Sequence, residues 1–438
     1  MQSPRTEKIV TPVVIARPEH NLSRSNISEN ALKVLYRLKN AGYRACLVGG
    51  GVRDLLLGRE PKDFDVATDA RPEQVRQVFR NCRLIGRRFR LAHVHFGREI
   101  IEVATFRSMG DGEQQDQRQV ENGMILRDNV YGTIDEDAQR RDFTINALYY
   151  DIEDFSVLDY ANGMQDLREG RLRLLGDPEQ RYREDPVRML RAVRFAGKLG
   201  FLIEEQTEAP IEPLSGLLQE VPSARLYEEV LKLFLGGSAL ETFEKLRHYG
   251  LFSRLFPATE EALSHEEHDF PITFVNRGLS NTDQRIREEK PVTPAFLFAV
   301  LLWEPVRRLA GQYMEEGLAA VPALQDAGRE VLSAQNQSVS IPKRFGYPMR
   351  DIWQLQPRFE NRAGKRPQRL ITHPKFRAAY DFLLLRAEAG ETDSELAAWW
   401  TDFQKENASP QPEPTEQKRR RRRRRRRKPD GEDKPVDG

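Results

Sequence analysis

The sequence predicts an α+β protein, in which a mixed α/β N-terminal domain is followed by a long all-α region and an arginine-rich tail. Strand-like and helix-like segments alternate over residues 29–107, whereas from about residue 134 almost all apolar residues recur with helical spacing. The 438 residues also exceed the ~250 to 300 at which single hydrophobic cores stop growing. Two or three domains are therefore expected.

The composition is typical of a globular protein, with 39% hydrophobic and 31% charged residues. The longest strongly apolar run, residues 294–303, is too short to cross a bilayer, so no transmembrane segment is predicted. The N-terminus lacks the basic-then-apolar layout of a secretory signal. Two cysteines, Cys46 and Cys82, cannot form a disulfide framework. Together these features predict a protein of the reducing cytoplasm.

The positive charge is concentrated in one segment. Residues 418–428, KRRRRRRRRRK, carry eleven positive charges, so the rest of the chain has a net charge of −9 against +2 overall. Nine consecutive arginines repel one another and bury nothing, which predicts a disordered tail. The run is either a solvated charge cluster or a polyanion-binding segment, and counterion release favours the second interpretation.

Local signals place the first elements. Residues 1–28 are polar and interrupted by proline, which predicts a flexible segment, and Ser28 is the predicted N-cap of a helix ending near Asn40. The residues ACLV then indicate a strand, GGG a tight turn, VRDLLL a helix and DFDVAT a second strand. The polar, glycine-rich residues 108–123 predict a mobile loop.

Two carboxylates interrupt the second of these strands. Because side chains alternate along a strand, Asp63 and Asp65 are predicted to project from the same face, where their charges repel. Mg²⁺ takes one or two carboxylates together with substrate phosphates, so a divalent ion would resolve the repulsion. Glu102 stands between the apolar Ile101 and Val103 of a later strand and could complete an acidic triad. A solvated edge strand is the alternative for each acid.

The glycines upstream of these acids, in LVGGGVRDLLLG, separate a strand from a helix. Backbone N–H groups in such a turn can hold an anion such as a triphosphate, and Arg53 adds a positive charge. No Gly-Lys-Ser/Thr follows, and the GxGxxG spacing is missing. The turn is therefore neither a Walker A loop nor a Rossmann fingerprint.

Five motifs in order resemble the nucleotidyltransferases that include bacterial poly(A) polymerases and CCA-adding enzymes. They are LVGGGVRDLLLGREPKDFDVAT (47–68), RRDFTINAL (140–148), DYANGMQDLREGRLRLLG (159–176), REDPVRMLRAVRF (183–195) and PSARLYEEVLKLF (222–234). The segment LIGRRFRLAHVHFG (84–97) resembles the stretch that marks poly(A) polymerases. The arginine-rich tail favours the same branch, and the CCA-adding enzymes are the alternative.

The resemblance implies roles for particular residues. Asp63 and Asp65 would hold catalytic magnesium, with manganese as a substitute, while Asp142 and Glu102 compete for the place of a third carboxylate. The implied nucleotide contacts are Gly49, Gly50, Arg53, Arg141, Glu184, Asp185, Arg188 and Arg191. ATP is the implied substrate and an RNA 3′ end its acceptor, so that repeated AMP addition makes a poly(A) tail that promotes RNA decay.

The fourth motif can also be interpreted from its residues alone. It predicts a helix with Asp185 as N-cap and Pro186 in the first position, and its apolar stripe is Met189, Ala192, Val193 and Ala196. Acidic and basic side chains beside this helix supply acceptors and donors that can match a base edge. Protein groups could thus select the nucleotide without a template.

The predicted domains are a flexible segment (1–28), a catalytic head (29–150), a helical neck (151–240), a helical body (241–404) and a basic tail (405–438). The body contains three segments that mix cations with aromatic residues, a composition suited to phosphate contact and base stacking. Their candidate RNA-binding residues are Lys343, Arg344, Lys365, Arg366, Lys375 and Arg377. The expected partners are RNA and RNA-decay proteins, and the expected state is a monomer. A noncatalytic RNA-binding adaptor is the rival from another class.

Overall fold

The computed structural model describes residues 11–86, 90–108, 118–121, 124–128, 130–264 and 270–407. Most of the predicted mobile loop and all but residues 405–407 of the basic tail lie outside the described residues. Within the described part of the chain, every helix is too short or too polar to traverse a bilayer.

The strands lie in the first half of the chain. They are β1 (Val13–Ile15), β2 (Ala45–Val48), β3 (Asp65–Thr68), β4 (Cys82–Ile85), β5 (Leu91–Phe96), β6 (Glu99–Thr105), β7 (Arg118–Glu121), β8 (Met124–Asp128), β9 (Leu148–Asp151), β10 (Val157–Asp159), β11 (Arg171–Leu172) and β12 (Leu202–Ile203). Eight of them form one sheet in the order β1-β10-β9-β2-β3-β6-β5-β4. Only β3 and β6 are parallel neighbours in it, and β7–β8 and β11–β12 form separate two-stranded sheets.

The first seven helices belong to the sheet domain and the start of the neck. They are α1 (Glu29–Asn40), α2 (Gly50–Leu56), α3 (Pro72–Val78), α4 (Ile134–Gln139), α5 (Gly163–Glu169), α6 (Pro178–Glu184) and α7 (Val187–Leu199). The remainder of the described chain is helical apart from β12. Its helices are α8 (Glu205–Glu208), α9 (Ile211–Leu214), α10 (Ser223–Phe234), α11 (Ala239–His248), α12 (Leu251–Leu255), α13 (Pro257–Ser264), α14 (Phe270–Arg287), α15 (Pro294–Leu301), α16 (Trp303–Glu315), α17 (Ala320–Ser338), α18 (Lys343–Leu355), α19 (Arg366–Ile371), α20 (Phe376–Glu388) and α21 (Ser394–Glu406). The α+β class predicted from the sequence is confirmed.

The first helix follows its local signals closely. Ser28 caps α1 by accepting a hydrogen bond from the N–H of Ala31. The apolar stripe of α1, including Val34 and Leu35, is buried against β2 and β3. One face of the sheet therefore has a continuous core, to which Leu47, Val66 and Val103 also belong.

The opposite face of the sheet is covered in part by α4. Ile134 and Ala138 of this helix pack with Val48, Ala67 and Tyr149 in a separate apolar cluster. Because strand residues alternate between faces, Asp65 and Glu102 lie on this same side of the sheet. The apolar cluster on this face is smaller than the one on the opposite face, and the candidate site lies beside α4.

Two expectations for the head differ from the structure. Residues 13–15, expected to be flexible, form edge strand β1 along β10, although their polar, proline-punctuated surroundings give no strand pattern. The helical structure predicted from about residue 134 is wrong for residues 144–151, because residues 144–146 form one 3₁₀ turn and β9 follows. All four β9 residues are buried, so the strand lacks the alternation that marks a half-exposed strand. The sheet thus extends past both predicted bounds of the head.

Candidate active site

The glycine turn stands at the centre of the candidate site. Gly49 follows β2 and has a φ of 73°, a left-handed conformation that favours glycine. A Cβ at Gly49 would lie 3.5 Å from Nη1 of Arg141 and 4.0 Å from Oδ2 of Asp65. The turn thus brings its backbone close to a carboxylate on β3 and to an arginine that follows α4.

The two aspartates occupy different backbone environments. Strand β3 begins at Asp65, so Asp63 lies in the preceding loop, where its side chain is exposed. The prediction that both acids lie in one strand is wrong, because β3 begins only at Asp65 and the loop that carries Asp63 packs on the glycine turn. A Cβ at Gly51 would meet the carbonyl oxygen of Asp63 at 3.4 Å and Phe64 at 3.7 Å.

A row of polar side chains crosses three neighbouring strands. Asp65 of β3 pairs in register with Glu102 of β6, and Glu102 pairs with His93 of β5. Nε2 of His93 lies 3.1 Å from Oε1 of Glu102. The sheet therefore brings together two carboxylates that are far apart in sequence, and a histidine borders them.

The surroundings of Asp65 disfavour its negative charge. Burial and the neighbouring charge of Glu102 raise the pKa of Asp65 to about 6, with a further contribution from Asp63, while Arg141 partly offsets them. A carboxylate held near other acids at partial burial favours its protonated form unless a positive charge is supplied. The arrangement matches the donor set that Mg²⁺ takes, one or two carboxylates together with substrate phosphates. Among the residues described, no group of three or more His, Cys, Asp or Glu side chains is placed so that it could hold a metal ion by itself. Substrate phosphates would have to complete the coordination.

Arg141 is held rigidly beside this acid pair. Its Nε donates to the Tyr149 hydroxyl at 2.8 Å, and its Nη2 donates to Oδ2 of Asp137 at 3.0 Å. Burial lowers the pKa of Arg141, but Tyr149 and Asp137 raise it overall. The guanidinium thus stays charged, with Nη1 close to the glycine turn.

Asp142 lies in a contrasting environment, although it follows Arg141 directly. Nε of Arg191, from α7, donates to Oδ2 of Asp142 at 2.8 Å. The other oxygen, Oδ1, accepts from the N–H of Phe143 at 2.8 Å and from Nδ2 of Asn146 at 3.2 Å. Burial raises the pKa of Asp142, but Arg191, Asn146 and Phe143 lower it well below its ordinary value. This carboxylate joins the head to the neck.

Arg53 is buried rather than presented at the surface of the turn. Only 2% of its surface is exposed, and its guanidinium donates to Asp54 at 2.6 Å and to Oδ1 of Asn146 at 2.7 Å. A Cβ at Gly50 would lie 3.4 Å from Nη2 of Arg53. Arg53 therefore packs beneath the turn, and Asn146 connects it to Asp142.

The acidic and basic residues of the fourth motif lie between α6 and α7. Glu184 ends α6 and accepts from Nη1 of Arg188 at 3.3 Å, while Asp185 forms an ion pair with Arg225 of α10 at 2.8 Å. Helix α7 begins at Val187 with Pro186 as N-cap, one residue later than predicted. Its predicted apolar stripe is buried, which confirms the helix.

Several supporting residues were missed by sequence reasoning. Arg181 is the clearest, since its Nη2 donates to the backbone carbonyls of Arg140 and Arg141 and so joins the neck to the second motif. Burial, with the charge of Arg188, lowers the pKa of Arg181 to about 10. The i,i+4 spacing of Asp137 and Arg141 could have indicated their ion pair. No local pattern links Arg181 or Asn146 to partners so distant in sequence.

The candidate RNA-binding residues of the body separate into two groups. Arg344, Lys375 and Arg377 line one cleft of about 700 Å³ between α14, α18 and α20. Lys343, which begins α18, does not line this cleft, and neither do the exposed Lys365 and Arg366 near the start of α19. The fold thus brings two of the three cationic segments together.

Asp65 and Glu102 are paired in the sheet, and Asp65 and Arg141 both lie close to the glycine turn. This is the arrangement expected from the resemblance to nucleotidyltransferases. Three family models match the chain: "Poly A polymerase head domain" over residues 45–173, "Probable RNA and SrmB- binding site of polymerase A" over residues 200–263, and "Polymerase A arginine-rich C-terminus" over residues 316–431. The first and second motifs lie within the head-domain match, and the fifth lies within the match over residues 200–263. The third motif extends past residue 173, where the head-domain match ends, and the fourth lies between the two matches.

Individual relatives agree with the models. The chain is 56% identical to Poly(A) polymerase I of Salmonella typhi over 398 residues, covering 89% of this chain and 85% of the relative. It is 40% identical to a CCA-adding enzyme of Lactobacillus helveticus over 214 residues, covering 49% of this chain and 52% of that enzyme. The fold resembles the structure "Thermotoga maritima CCA-adding enzyme complexed with tRNA_CCA", with a TM-score of 0.56 at 20% identity over 86% of this chain and 82% of that one. The chain belongs to the poly(A) polymerase family, and it is accordingly a polynucleotide adenylyltransferase.

Proposed function

We propose that this enzyme lengthens RNA 3′ ends by repeated, untemplated addition of AMP from ATP. The RNA 3′-hydroxyl attacks the α-phosphate of ATP in line with the leaving pyrophosphate, and no covalent enzyme intermediate is needed. The observation that carries the proposal is the register pairing of Asp65 with Glu102 next to the Gly49 turn. The 56% identity to a poly(A) polymerase supports adenylate over other nucleotides.

Asp63, Asp65 and Glu102 are the proposed ligands of Mg²⁺, with Mn²⁺ as a substitute. When bound, the divalent ions would lower the pKa of the attacking hydroxyl and offset charge on the phosphates. Glu102 is favoured over Asp142 as the third carboxylate, because Glu102 is the in-register neighbour of Asp65, whereas both oxygens of Asp142 already have donors.

The other residues bind and orient the substrates. The backbone N–H groups of the turn at Gly49 and Gly50 are proposed to bind the triphosphate, and Nη1 of Arg141 places a fixed positive charge beside the turn. Arg53 supports this turn from beneath instead of reaching the phosphates directly. Asp142 and Arg191 together fix the position of α7 relative to the head.

Base selection is proposed for the fourth motif. Glu184, Asp185 and Arg188 supply acceptors and a donor near the start of α7, and each is already oriented by an ion pair. Groups fixed in this way can favour one base edge over another, because a mismatched base leaves them unpaired.

The proposed biological setting is the bacterial cytoplasm, where a poly(A) tail marks RNA for 3′ exonucleolytic decay. RNA-decay proteins are the proposed partners, and the enzyme is proposed to act as a monomer. The six cations Lys343, Arg344, Lys365, Arg366, Lys375 and Arg377 are proposed to contact the RNA backbone.

The CCA-adding activity is the second candidate, and the similarity to the Lactobacillus helveticus enzyme supports it. An extension assay separates the two when the full-length enzyme is given each of the four NTPs singly, with an unrelated RNA or with a tRNA that lacks its 3′ end. We expect long adenylate tracts on both RNAs from ATP alone. Addition of one or two CMP residues from CTP, restricted to the tRNA and without long adenylate tracts from ATP, would establish the alternative. RNA binding without any incorporation would establish the adaptor.

A further inference from the structure

The helical body contains a cleft that the proposed chemistry does not use. The cleft has a volume of about 700 Å³ and lies between α14, α15, α18 and α20. This volume is within the ~300 to 1,000 Å³ of sites that bind small ligands or single groups of larger ones. Its lining combines apolar side chains such as Phe296 and Ile352 with several cations.

Aromatic and guanidinium planes border the cleft on the α18 side. Phe345 stacks on Tyr227 with ring centroids 6.4 Å apart and an interplanar angle of 28°. The guanidinium of Arg344 lies over the Phe345 ring at 4.9 Å from its centroid, and Arg344 is exposed. Both aromatic rings and guanidinium planes are surfaces on which unpaired bases stack. Tyr227, Phe345 and Arg344 therefore form a stacked column, and its exposed end at Arg344 is a surface on which a base could stack.

Three cations line the same cleft as Phe345. Arg344 comes from the start of α18, while Lys375 and Arg377 come from the start of α20. Arg377 is paired with Asp381 at 3.0 Å, but within the described residues neither Arg344 nor Lys375 forms an ion pair with a carboxylate. Two unpaired cations next to a stacking surface match the phosphate and base of one nucleotide.

The acids of the same lining restrict the ligand further. Glu288, Asp381 and Glu388 also line the cleft. Glu288 is paired with Lys290 at 2.7 Å and Asp381 with Arg377, and Arg285 is a further cation of the lining. The excess of positive charge is therefore small, which matches the single negative charge of each nucleotide in an RNA strand better than the concentrated charge of a free triphosphate. Single-stranded RNA is therefore a better match than a second ATP.

We propose that this cleft binds a nucleotide of the RNA substrate upstream of its 3′ end, with the base against Phe345 and Arg344 and the adjoining phosphates on Lys375 and Arg377. This proposal depends on the proposed function, since it assigns the RNA path of that reaction. The cleft acts as an anchor that raises affinity for RNAs long enough to reach it. It does not touch the reacting atoms, so it affects RNA affinity and not the rate of the bound complex.

The test compares two triple variants of the full chain that remove the same number of positive charges. R344A/K375A/R377A removes three cations from the cleft lining, and the control R254A/R308A/R329A removes three exposed cations of the body that neither line the cleft nor belong to the proposed RNA contacts. Fluorescence anisotropy with an oligoadenylate of about 20 nucleotides should show at least tenfold weaker binding for the first variant and less than threefold for the control. Loss of the two phosphate contacts of Lys375 and Arg377 should also reduce the magnitude of the slope of log K against log[salt] by about 1.4.

Equal weakening by the two variants would overturn the proposal, because it would show a diffuse electrostatic effect. A base test uses an otherwise identical oligonucleotide that is abasic at successive positions upstream of the 3′ end. We expect one or two positions at which base removal weakens wild-type binding about tenfold and leaves the cleft variant unchanged. Absence of any position-specific loss would also overturn the proposal.

Equilibrium dialysis with a nonhydrolysable ATP analogue tests whether the cleft binds free nucleotide. Loss of a second bound molecule in the cleft variant would contradict the RNA assignment.

Failure of this proposal is distinguishable from failure of the proposed function. On a primer of about four nucleotides, too short to span a typical binding site, the cleft variant should keep the wild-type kcat for AMP incorporation. On the long RNA its KM should rise at least tenfold with kcat unchanged. Absence of AMP incorporation by the wild-type enzyme would refute the proposed function, whereas normal incorporation with identical KM values in all variants would refute only the cleft.

Discussion

Asp65 and Asp142 are both partly buried acids of the head, yet their surroundings have opposite charge. Asp65 has Glu102 beside it in the sheet and Asp63 nearby, and its pKa is raised to about 6. Asp142 receives hydrogen bonds from Arg191, Asn146 and the backbone of Phe143, and its pKa is lowered. The surroundings of Asp65 therefore favour binding of a cation, whereas the charge of Asp142 is already balanced by Arg191.

This contrast shows that the role of an aspartate cannot be inferred from its residue type and depends on the charges around it. Asp65 and Asp142 belong to successive motifs, and in the sequence both are possible metal ligands. Their neighbours in the fold favour a catalytic role for Asp65 and a structural role for Asp142. A carboxylate among carboxylates destabilises the protein unless a ligand binds, whereas a buried ion pair destabilises it when one member is removed. Substitutions at the two positions should therefore have effects of opposite sign on stability.

The largest expected effect is on activity at Asp65. Asp65→Asn keeps the shape of the side chain but removes its charge, and we expect AMP incorporation to fall by at least ~10³-fold because several kcal/mol of charge stabilisation are lost. RNA affinity should change by less than about threefold, since the contacts of the body remain. Single-turnover incorporation of labelled AMP measures the first effect, and anisotropy measures the second.

Glu60→Gln provides the control for that experiment, because Glu60 is an exposed acid close to Asp65 in sequence. It should retain wild-type activity. Wild-type incorporation by Asp65→Asn would refute the assignment of Asp65 to catalysis.

Asp142→Asn should reduce incorporation much less than Asp65→Asn, and the reverse order would return the third-carboxylate role to Asp142.

A smaller effect is expected on stability at the head–neck ion pair. Arg191→Met leaves Asp142 without its cation, and we expect the free energy of unfolding to fall by about 2 to 3 kcal/mol, the low end for a buried pair because Arg191 is partly exposed. Urea denaturation measures the change. Arg183→Met is the matched control, since it breaks the exposed pair with Glu179 and should cost at most about 1 kcal/mol. Equal losses in both variants would contradict the distinction between them.

The smallest effect is the pH dependence of stability at Asp65. Its pKa is about 6 in the folded protein and 3.8 as the reference value, so between these values the folded state binds more protons. The free energy of unfolding of the metal-free enzyme should therefore fall as pH rises from about 4 to about 6, and level off above. Asp65→Asn should lack this component, which urea denaturation at successive pH values measures by comparison with wild type.

Divalent ions sharpen the same experiment. Mn²⁺ should stabilise the wild-type enzyme at pH 7, where Asp65 is ionised, and much less at pH 5, since a ligand must be deprotonated to bind metal. Asp65→Asn should show little stabilisation at either pH. Equal Mn²⁺ stabilisation of wild type and variant would place the ion elsewhere.

Local signals predicted the elements whose pattern is complete within one segment. Helix α1 has its N-cap at Ser28 and its buried stripe where predicted, because capping and helical spacing are properties of neighbouring residues. Strand β9 was missed because it is buried on both faces and carries no alternation. Asp63 was assigned to a strand because the alternation of polar and apolar residues in DFDVAT begins at Asp63, whereas β3 begins at Asp65.

The sequence by itself determined the chemistry that is available: the acids, the glycine turn, the basic segments, and through its five motifs the family. Only the tertiary structure decided which acids meet. Sheet pairing placed Glu102 beside Asp65, and the docking of α7 on the head gave Asp142 to Arg191. The physical reason is that strand register and helix packing are set by burial of the apolar faces, and a charged side chain takes whichever neighbours that burial provides.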